Sequence, residues 1–326
     1  MENSLLLVSS SRIGGKFPQR SDHLIKELKS LNCNVIVIES YNPIIGIITT
    51  IKYWKIKWKI FSGFRAGIAA LILSFIGLKW IYDFVEIKSK LCRDNWNGIK
   101  KKFIPIIEIL EKIMIKRANL VFSAGLSSYN YAKNIKDKVI LVPNGYDEKL
   151  FDLNKYNRKL LRNYYKVNFP LAIYIGKLTP MYAKFLIKAI KAMDFVIKEI
   201  PNAEFWIFGD GLSRKFLEKI SNKNVKFKGY IEYEKVPEII TIADVGIHAY
   251  DTESLKLIEW LAMGLPTIFP KGIKINNVIE CIWEPEEIAK KLIYIFKNPY
   301  RNPIKMPTWR ESAKLILDIL NKLEKP

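Results

Sequence analysis

The sequence predicts an α/β protein built from two doubly wound, Rossmann-like domains. Short apolar runs alternate with helical patterns, beginning with Leu5–Ser9, a helix over Ser21–Leu31 and the run Asn34–Glu39. The same strand–helix–strand order starts again at Pro170–Ile175. A glycine-containing loop follows the first strand of each series, at the carboxyl end, where open α/β sheets bind ligands.

The composition is that of a folded and strongly basic protein. Of the 326 residues, 49% are apolar, which is enough for two cores, and the formal net charge is +21. This charge favours anionic membranes, phosphorylated substrates or nucleic acid, although no nucleic-acid motif accompanies it. Three isolated cysteines predict neither a disulfide framework nor a zinc site, and they fit a reducing cytoplasm. The N-terminus lacks a basic n-region and therefore predicts a first strand, not a signal peptide.

The remaining elements follow the same patterns. Further strands are predicted at Lys79–Val85, Asn119–Ser123, Lys138–Val142, Ala203–Phe208, Val225–Gly229, Val245–Ala249 and Thr267–Phe269. Further helices are predicted at Phe103–Lys116, from Ser127, and at Met181–Ile200, Glu234–Ile242, Pro285–Lys297 and Pro307–Leu323. The charged segment Asp152–Phe169 is weakly patterned and is predicted to be a linker.

The segment 51–78 has an unusual composition. Ile51–Phe61 combines lysines with aromatic residues, and Ala66–Leu78 is uncharged but shorter than the roughly 20 residues that a spanning helix needs. One interpretation is a membrane-interface segment, with Trp54 and Trp58 at the headgroups and the lysines against anionic lipid. The alternative is a core helix preceded by a solvated basic segment.

The stretch Asp251–Pro270 combines a helix start with groups suited to a phosphorylated sugar. A turn with acidic and hydroxyl side chains precedes a short helix that ends at Gly264, and a buried strand follows. The N–H groups and dipole at the helix start form an anion site, where Ser254 is a good cap residue and Lys256 adds a cation. Glu259 lies about one turn further on, where a carboxylate can accept bonds from sugar hydroxyls. The alternative is an ordinary capped helix.

The spacing in this stretch resembles the E-x7-E segment of GT-B glycosyltransferases, in particular glycosyltransferase family 4. Seven residues separate Asp251 from Glu259, and Gly264-Leu265-Pro266 follows. Other segments stand in the family's order, namely Pro143–Asp147 with Phe151, Tyr174–Leu178, Phe208–Gly211, Val225–Gly229 and Ala243–Gly246. The similarity begins near Asn119 and continues to the C-terminus. Asp251 replaces the family's glutamate, and Ala249 stands where the family often has proline.

The resemblance implies a GT-B fold, in which two Rossmann-like domains face a cleft and a C-terminal helix crosses back to the first domain. The acceptor-binding domain is expected at residues 1–155, the nucleotide-sugar-binding domain at 165–305 and the returning helix at 306–326. The residues expected to contact the donor are Gly14, Gly15, Gly176, Lys177, Lys184, Gly209, Asp210, Gly211, Tyr250, Thr252, Ser254, Leu255, Lys256 and Glu259. For the glycines, turn chemistry alone is the alternative explanation.

Two lysines of this set differ in how well they match the family. Lys177 stands at the position of a basic residue that contacts the donor's phosphates, and the alternative for it is a solvated loop lysine. The family often places a second lysine where this chain has Tyr182, and Lys184 is a candidate substitute.

The resemblance further implies hexosyl transfer from a UDP-, GDP- or ADP-sugar to an acceptor glycan or lipid-linked sugar. No metal and no other cofactor is expected, because helix N-termini and basic residues can stabilise the leaving diphosphate. The catalytic candidates are Asp83, Glu86 and His248 as bases, and Asp251 on the donor sugar. A lone histidine is more often structural, and a retaining enzyme needs no protein base, so both stereochemical outcomes stay open.

Two other function classes fit parts of the sequence. A GT-B-fold sugar-nucleotide epimerase would have the same donor site, but it would give segment 51–78 no role. A non-catalytic, basic adaptor for membranes or nucleic acid would keep the fold, and donor hydrolysis without acceptor would argue against it. We therefore expect a cytoplasmic glycosyltransferase, peripheral at the inner face of the cell membrane and without a specific nucleic-acid partner.

Overall fold

The computed structural model describes residues 4–14, 18–250, 254–271 and 278–324. The chain divides into two compact units, the first with residues 1–145 and 307–326 and the second with residues 146–306. Within the described residues, each unit contains one parallel sheet of six strands covered by helices. The predicted α/β class with two Rossmann-like sheets is therefore confirmed.

The sheet of the first unit has the strand order β2-β1-β3-β4-β5-β6. Its strands are β1 (Ser4–Ser9), β2 (Asn34–Glu39), β3 (Trp58–Ser62), β4 (Ile81–Phe84), β5 (Leu120–Ser123) and β6 (Val139–Leu141). The central strands are apolar runs, as expected for a parallel sheet with helices on both faces. Leu6, Phe61, Tyr82 and Phe122 are at most 1% exposed and form the centre of this core.

Helices cover both faces of this sheet. They are α1 (Arg20–Ser30), α2 (Pro43–Lys52), α3 (Phe64–Ser74), α4 (Lys88–Asn95), α5 (Ile104–Arg117), α6 (Leu126–Lys133) and the C-terminal α13 (Trp309–Lys322). Because parallel crossovers are right-handed, the step from β2 past β1 to β3 places α2 on the face opposite to α1. α3 packs beside α2, and α5 packs beside α3. None of the helices in the described part of the chain combines the length and hydropathy that crossing a bilayer requires.

Strand β3 was not anticipated, because its sequence was interpreted as part of a membrane-interface segment. The structure places Trp58–Ser62 between β1 and β4 in the sheet. Lys59 is buried in this strand, its amine donates to the carbonyl of Ile56, and burial lowers its pKa. The half-buried Trp58 donates a 2.9 Å hydrogen bond from its indole to Glu324. This part of segment 51–78 therefore belongs to the folded core.

The C-terminal helix packs on the first unit, as the predicted fold required. Thr308 caps α13 by accepting a 3.1 Å hydrogen bond from the N–H of Glu311. The ring of Trp309 stacks on the buried His23 of α1, with 4.7 Å between ring centroids and 4° between their planes. A Cβ atom on Gly145 would lie 2.3 Å from the backbone nitrogen of Trp309, so glycine permits this close approach.

The sheet of the second unit has the strand order β12-β11-β10-β7-β8-β9. Its strands are β7 (Leu171–Ile175), β8 (Glu204–Phe208), β9 (Val225–Gly229), β10 (Val245–Ile247), β11 (Thr267–Pro270) and β12 (Ile279–Cys281). Its helices are α7 (Arg158–Tyr164), α8 (Pro180–Glu199), α9 (Arg214–Lys219), α10 (Val236–Ile242), α11 (Leu255–Ala262) and α12 (Pro285–Lys297). The segment predicted to be a linker contains α7, which packs on α10.

One arginine joins the ends of two helices in the second unit. The guanidinium of Arg301 donates hydrogen bonds to the carbonyls of Ile240 and Ala243 near the end of α10, and to that of Met263 just after α11. A further bond reaches the carbonyl of Thr241. Burial lowers the pKa of Arg301 to about 9, although the residue as a whole is only half-buried. These bonds satisfy carbonyls that a helix end leaves without partners.

Candidate functional site

The topology of the second sheet indicates where a ligand would bind. The chain adds β8 and β9 on one side of β7, and then returns to place β10 on the other side. Open α/β sheets bind ligands at such a switch point, beyond the carboxyl ends of the two strands. Here the turn Gly176–Leu178 follows β7, residues 248–250 follow β10, and Ser254 precedes α11. Both predicted donor segments therefore lie at the switch point.

The start of α11 has its cap residue engaged elsewhere. Ser254 is the N-cap and has an extended backbone, but its side chain caps no N–H group of the helix. Instead, its Oγ lies 2.8 Å from Nε2 of His248. The first N–H groups of a helix have no acceptor within it, and those of Leu255 and Lys256 have none among the described residues, which is the arrangement that binds anions. The donor contacts expected of Ser254, Leu255 and Lys256 stay a prediction, and the structure places all three residues at the start of α11.

His248 holds this cap in place. Its ring is fully buried, stacks on Phe269 at 5.0 Å, and has Nδ1 2.8 Å from the carbonyl oxygen of Tyr250. A carbonyl can only accept, so Nδ1 carries the proton and Nε2 accepts from the hydroxyl of Ser254. Burial, and to a smaller extent the nearby Lys256, lowers the pKa of His248 to about 3. A neutral ring with both nitrogens bonded favours a positioning role over that of a general base.

Lys256 places its ammonium group beside this helix start. Its Nζ lies 4.3 Å from the ring centroid of Tyr174 and 5.2 Å from that of Tyr182. Among the described residues, no carboxylate or other acceptor bonds this ammonium group. Burial lowers the pKa of Lys256 to about 7, although the side chain as a whole is half-buried. An anion bound here would restore the charged form, because an opposite charge within a few ångströms favours it.

Glu259 lies one turn further along α11 and is 6% exposed. Its Oε1 accepts a 2.6 Å hydrogen bond from the hydroxyl of Tyr233, which lies between β9 and α10. Burial raises the pKa of Glu259 to about 8, Asp147 adds to this shift, and the bond from Tyr233 opposes it. Sequence analysis missed Tyr233, because the residue is 26 positions from Glu259 and no motif joins them.

The two glycine turns of the predicted site pack directly against each other. A Cβ atom on Gly209 would lie 1.9 Å from the carbonyl oxygen of Gly176, and one on Gly211 would lie 2.5 Å from that of Leu178. The φ angle of Gly209 is +127°, in the region that favours glycine. A Cβ on Gly176 would lie 3.0 Å from Nζ of Lys256. Close backbone contacts explain why positions 209 and 211 are glycine, with no need for a ligand. At position 176, glycine leaves space beside the ammonium group of Lys256.

The other predicted donor residues differ from one another in burial and contacts. Lys177 and Lys184 are exposed, and no ion pair is found for either in the described part of the chain. Asp210 is exposed, and its carboxylate lies 3.5 Å from the guanidinium of Arg214, the first residue of α9. Tyr250 is buried, and its ring meets those of Tyr182 and Phe185. Gly15, Asp251 and Thr252 lie outside the described residues.

In the first unit, Asp83 is bound in a buried network. The guanidinium of Arg20 lies 3.0 Å from one carboxylate oxygen, and the hydroxyl of Ser62 donates to the other at 2.7 Å. Arg20 also donates to the side chain of Asn144 and to the carbonyl of Val142. Asp83 is 2% exposed, so this geometry favours a structural role over that of a general base. Sequence analysis missed Arg20, which lies 63 positions away.

The remaining candidates of the first unit are close to the surface. Glu86 is exposed and pairs with the half-buried Lys88 at 3.4 Å. Gly14 has a φ of +69° and donates from its N–H to Asp22 at 2.6 Å. Across the described ranges, no group of three or more histidine, cysteine, aspartate or glutamate side chains is arranged to hold a metal ion.

Fold and site together define a protein of the GT-B type, and comparisons with known proteins agree. Residues 170–298 match the model of the family described as Glycosyl transferases group 1. The resemblance to GT-B glycosyltransferases that the motifs indicated is thereby confirmed. Over 119 residues the chain is 31% identical to alpha-monoglucosyldiacylglycerol synthase of Acholeplasma laidlawii. This match covers 31% of the chain and 29% of that relative.

Solved structures share the fold over the whole chain. A sucrose-phosphate synthase from Thermosynechococcus elongatus gives a TM-score of 0.72 at 13% identity, covering 98% of this chain and 99% of its own. Anabaena HepE, solved with UDP and glucose, gives a TM-score of 0.68 at 15% identity, and the match covers 100% of both chains. UDP-GlcNAc 2-epimerase of Neisseria meningitidis, bound to UDP-GlcNAc, gives a TM-score of 0.65 at 15% identity. The match covers 98% of this chain and 100% of the epimerase. These likenesses extend the GT-B fold to both units.

Proposed function

We propose that the protein is a glycosyltransferase that moves a hexosyl group from a nucleotide-diphosphate sugar to an acceptor. One observation carries this proposal: the start of α11 combines N–H groups and an ammonium group that have no acid partner among the described residues with a buried carboxyl group. The N–H groups and Lys256 suit the diphosphate, and Glu259 suits the ribose hydroxyls. The family match over residues 170–298 covers this whole site and supports sugar transfer.

The leaving diphosphate would be stabilised by the protein itself. Negative charge grows on the diphosphate as the glycosidic bond breaks, and preorganised donors aimed at that charge lower the barrier. Lys256 and the N–H groups of Leu255 and Lys256 are fixed at the helix start, and the exposed Lys177 follows β7 on the other side of the switch point. We infer transfer without a bound metal from this supply of positive charge.

A thermal-shift screen of UDP-, GDP- and ADP-sugars tests the donor site. A bound donor raises the melting temperature by mass action, and one nucleotide should do so far more than the others. Lys256→Met and Glu259→Gln should abolish or strongly reduce the shift. Lys191→Met and Glu280→Gln change exposed groups of the same unit and should leave it unchanged. No shift with any of these donors, under conditions where the protein is folded, would refute the donor site.

An epimerase is the second candidate, because UDP-GlcNAc 2-epimerases share the fold. Product analysis separates the two activities. An epimerase converts the sugar while it stays on the nucleotide, whereas a transferase releases the nucleoside diphosphate. We expect release of nucleoside diphosphate that increases with a suitable acceptor, a glycan or a lipid-linked sugar. Isomerised nucleotide sugar without such release would favour the epimerase.

A further inference from the structure

The outer surface of the first unit exposes an unusual number of large apolar side chains. They come from three neighbouring helices, α2, α3 and α5, and from the 3-10 turn Gly98–Phe103 that precedes α5. We call this surface the helical face. Its apolar members, each at least 37% exposed, are Ile44, Ile45, Ile48, Ile51, Ile72, Phe75, Ile76, Ile99, Phe103, Ile106, Ile109 and Ile113. Contiguous exposed apolar surface of this kind marks an interaction site.

The apolar side chains repeat along each helix. Ile44, Ile48 and Ile51 stand at helical spacing on one side of α2, while the buried Gly46 and Thr50 face inward. The other two helices behave alike, since buried Met114 and Ile115 face the core from α5, and buried Ala70 and Leu73 do so from α3. The helices are therefore hydrophobic on two sides, and only the inner side is explained by the core.

Positive charge surrounds these apolar residues. The segments 43–57 and 64–79 contain no aspartate or glutamate but include Lys52, Lys55 and Lys57. In the segment 98–117 six lysine and arginine residues stand against two glutamates, one of which, Glu111, is buried. Lys100, Lys101 and Lys102 are fully at the surface, and no ion pair is found for them in the described part of the chain. The helical face therefore combines apolar and cationic groups with little negative charge.

Contacts within the first unit hold part of this surface rigid. The guanidinium of Arg117 lies 4.2 Å from the ring centroid of Phe75, and its Nε donates to the hydroxyl of Ser74 at 3.0 Å. The end of α3 is thereby attached to the end of α5. Phe75 and Ile76 are 69% and 67% exposed even so. Their exposure is a fixed feature of packed helices and not that of a frayed end.

We propose that the helical face docks on a membrane that contains anionic lipid. Isoleucine and phenylalanine side chains would enter the boundary between headgroups and acyl chains, and the lysines would lie against the lipid phosphates. A second copy of this chain is a poorer occupant, because two identical faces would bring like charges together. This inference rests on the proposed function, because docking on a membrane would bring the first unit close to a lipid-linked acceptor. The proposed interface does not include Trp58, which is half-buried in β3.

Flotation with lipid vesicles tests the proposal on the full chain. The vesicles are phosphatidylcholine alone, or phosphatidylcholine mixed with phosphatidylglycerol, at low and at high salt. We expect binding to the anionic vesicles at low salt, with a part that high salt does not remove because it is apolar. Reversal of Lys100, Lys101 and Lys102 to glutamate should reduce partitioning by at least about a hundredfold, as expected for three lysines at an anionic surface. The double variant Phe75→Ser, Ile76→Ser should remove the salt-resistant part.

Matched variants in the second unit control for exposure and charge. Leu160→Ser with Tyr164→Ser changes apolar residues that are 66% and 76% exposed. The set Lys219→Glu, Lys223→Glu and Lys226→Glu reverses three exposed lysines. The vesicle affinity of both controls should be within about twofold of that of the wild-type protein, because only residues near the membrane surface contribute to this affinity. All variants should keep the wild-type melting temperature and the donor-induced shift.

Three outcomes would overturn the inference. The first is a wild-type protein that does not float with anionic vesicles at low salt. The second is equal loss of binding in the helical-face variants and in their controls, which would mean general charge attraction. The third is a dimer in sedimentation that Phe75→Ser, Ile76→Ser dissociates, with no vesicle binding, which would assign the face to a second copy. Donor-induced stabilisation in the same samples shows separately whether the proposed function holds.

Discussion

The hydroxyl of Tyr233 donates a 2.6 Å hydrogen bond to Oε1 of Glu259, and this bond joins two segments of the second unit. Glu259 is buried, so without a partner its carboxylate would be strongly disfavoured. The bond from Tyr233 favours the ionised form and opposes the effect of burial on the pKa. In the proposed donor site, Tyr233 would therefore favour the ionised form of Glu259 that accepts bonds from ligand hydroxyls.

Glu259→Gln should weaken binding of the preferred nucleotide sugar and leave the fold intact. A charge-assisted hydrogen bond contributes about 1.5–3 kcal/mol, so affinity should fall roughly ten- to over a hundredfold. Titration calorimetry with donor measures this change. Affinity equal to that of the wild-type protein would mean that α11 is an ordinary capped helix.

Tyr233→Phe should shift the pH dependence of donor binding. The pKa of Glu259 is about 8, and loss of the hydroxyl that lowers it should raise it further. The limb of the pH profile that depends on an ionised Glu259 should therefore move to higher pH, while the limb that depends on a charged Lys256 stays in place. Tyr230→Phe is the matched control in the same segment. A uniform loss of affinity at every pH would indicate a structural role only.

Lys256→Met should increase stability while it removes donor binding. Burial holds the pKa of Lys256 near 7, below its unfolded value of about 10.4, so the folded state penalises the charged form. The unfolded state binds more protons between these two values, and the stability of the wild-type protein rises with pH across that window. The stabilising effect of Lys256→Met should therefore be largest below pH 7 and should shrink towards about pH 10. Melting temperatures of both proteins across this range check the sign, and destabilisation at pH 6 would contradict it.

Lys177→Ala should slow sugar transfer more than it weakens donor binding. The charge on the diphosphate is greatest in the transition state, so loss of this cation should lower kcat with a smaller effect on KM. Lys191→Ala, an exposed lysine of α8, is the control. EDTA should have little effect on either protein. Activity that EDTA abolishes and magnesium or manganese restores would reject the metal-free part of the proposal.

Arg301→Met should destabilise the second unit by about 3 kcal/mol or more, because several carbonyls of buried residues lose the side-chain donor that bonds them. Urea unfolding measures the change. Arg310→Met removes an exposed pair with Glu27 and should cost less than about 1 kcal/mol. Equal effects of the two substitutions would show that the bonds of Arg301 add little.

Much of the framework could be predicted from the sequence, because local patterns specify it. The apolar run of β7, the Pro285–Lys297 helix and the cap at Thr308 all follow from neighbouring residues, and the structure has them where expected. Strand β3 was missed because Lys59 breaks its apolar pattern, and only the structure shows that the amine reaches the carbonyl of Ile56. β12 is only three residues long and gave no signal of its own.

The predicted site differs from the observed one where contacts span the sequence. The helix start with Ser254, Lys256 and Glu259 was identified from spacing within one segment. The bond of Tyr233 to Glu259 and that of Arg20 to Asp83 depend on tertiary packing, which no local pattern reports. The positions of Asp251 and Thr252, like that of Gly15, lie outside the described residues, and their roles stay predictions.

The return of α13 to the first unit affects the order in which the two units can complete their folds during synthesis. The first unit needs residues 307–326, which are synthesised after the whole second unit. Until then, His23 lacks the Trp309 ring on which it stacks, and α1 lacks the helix that packs against it. Domains generally fold as units during synthesis, so the later unit can complete its fold before the earlier one. Residues 146–306 form one uninterrupted segment that can be expressed alone, whereas the first unit would need an engineered connection between residues 145 and 307.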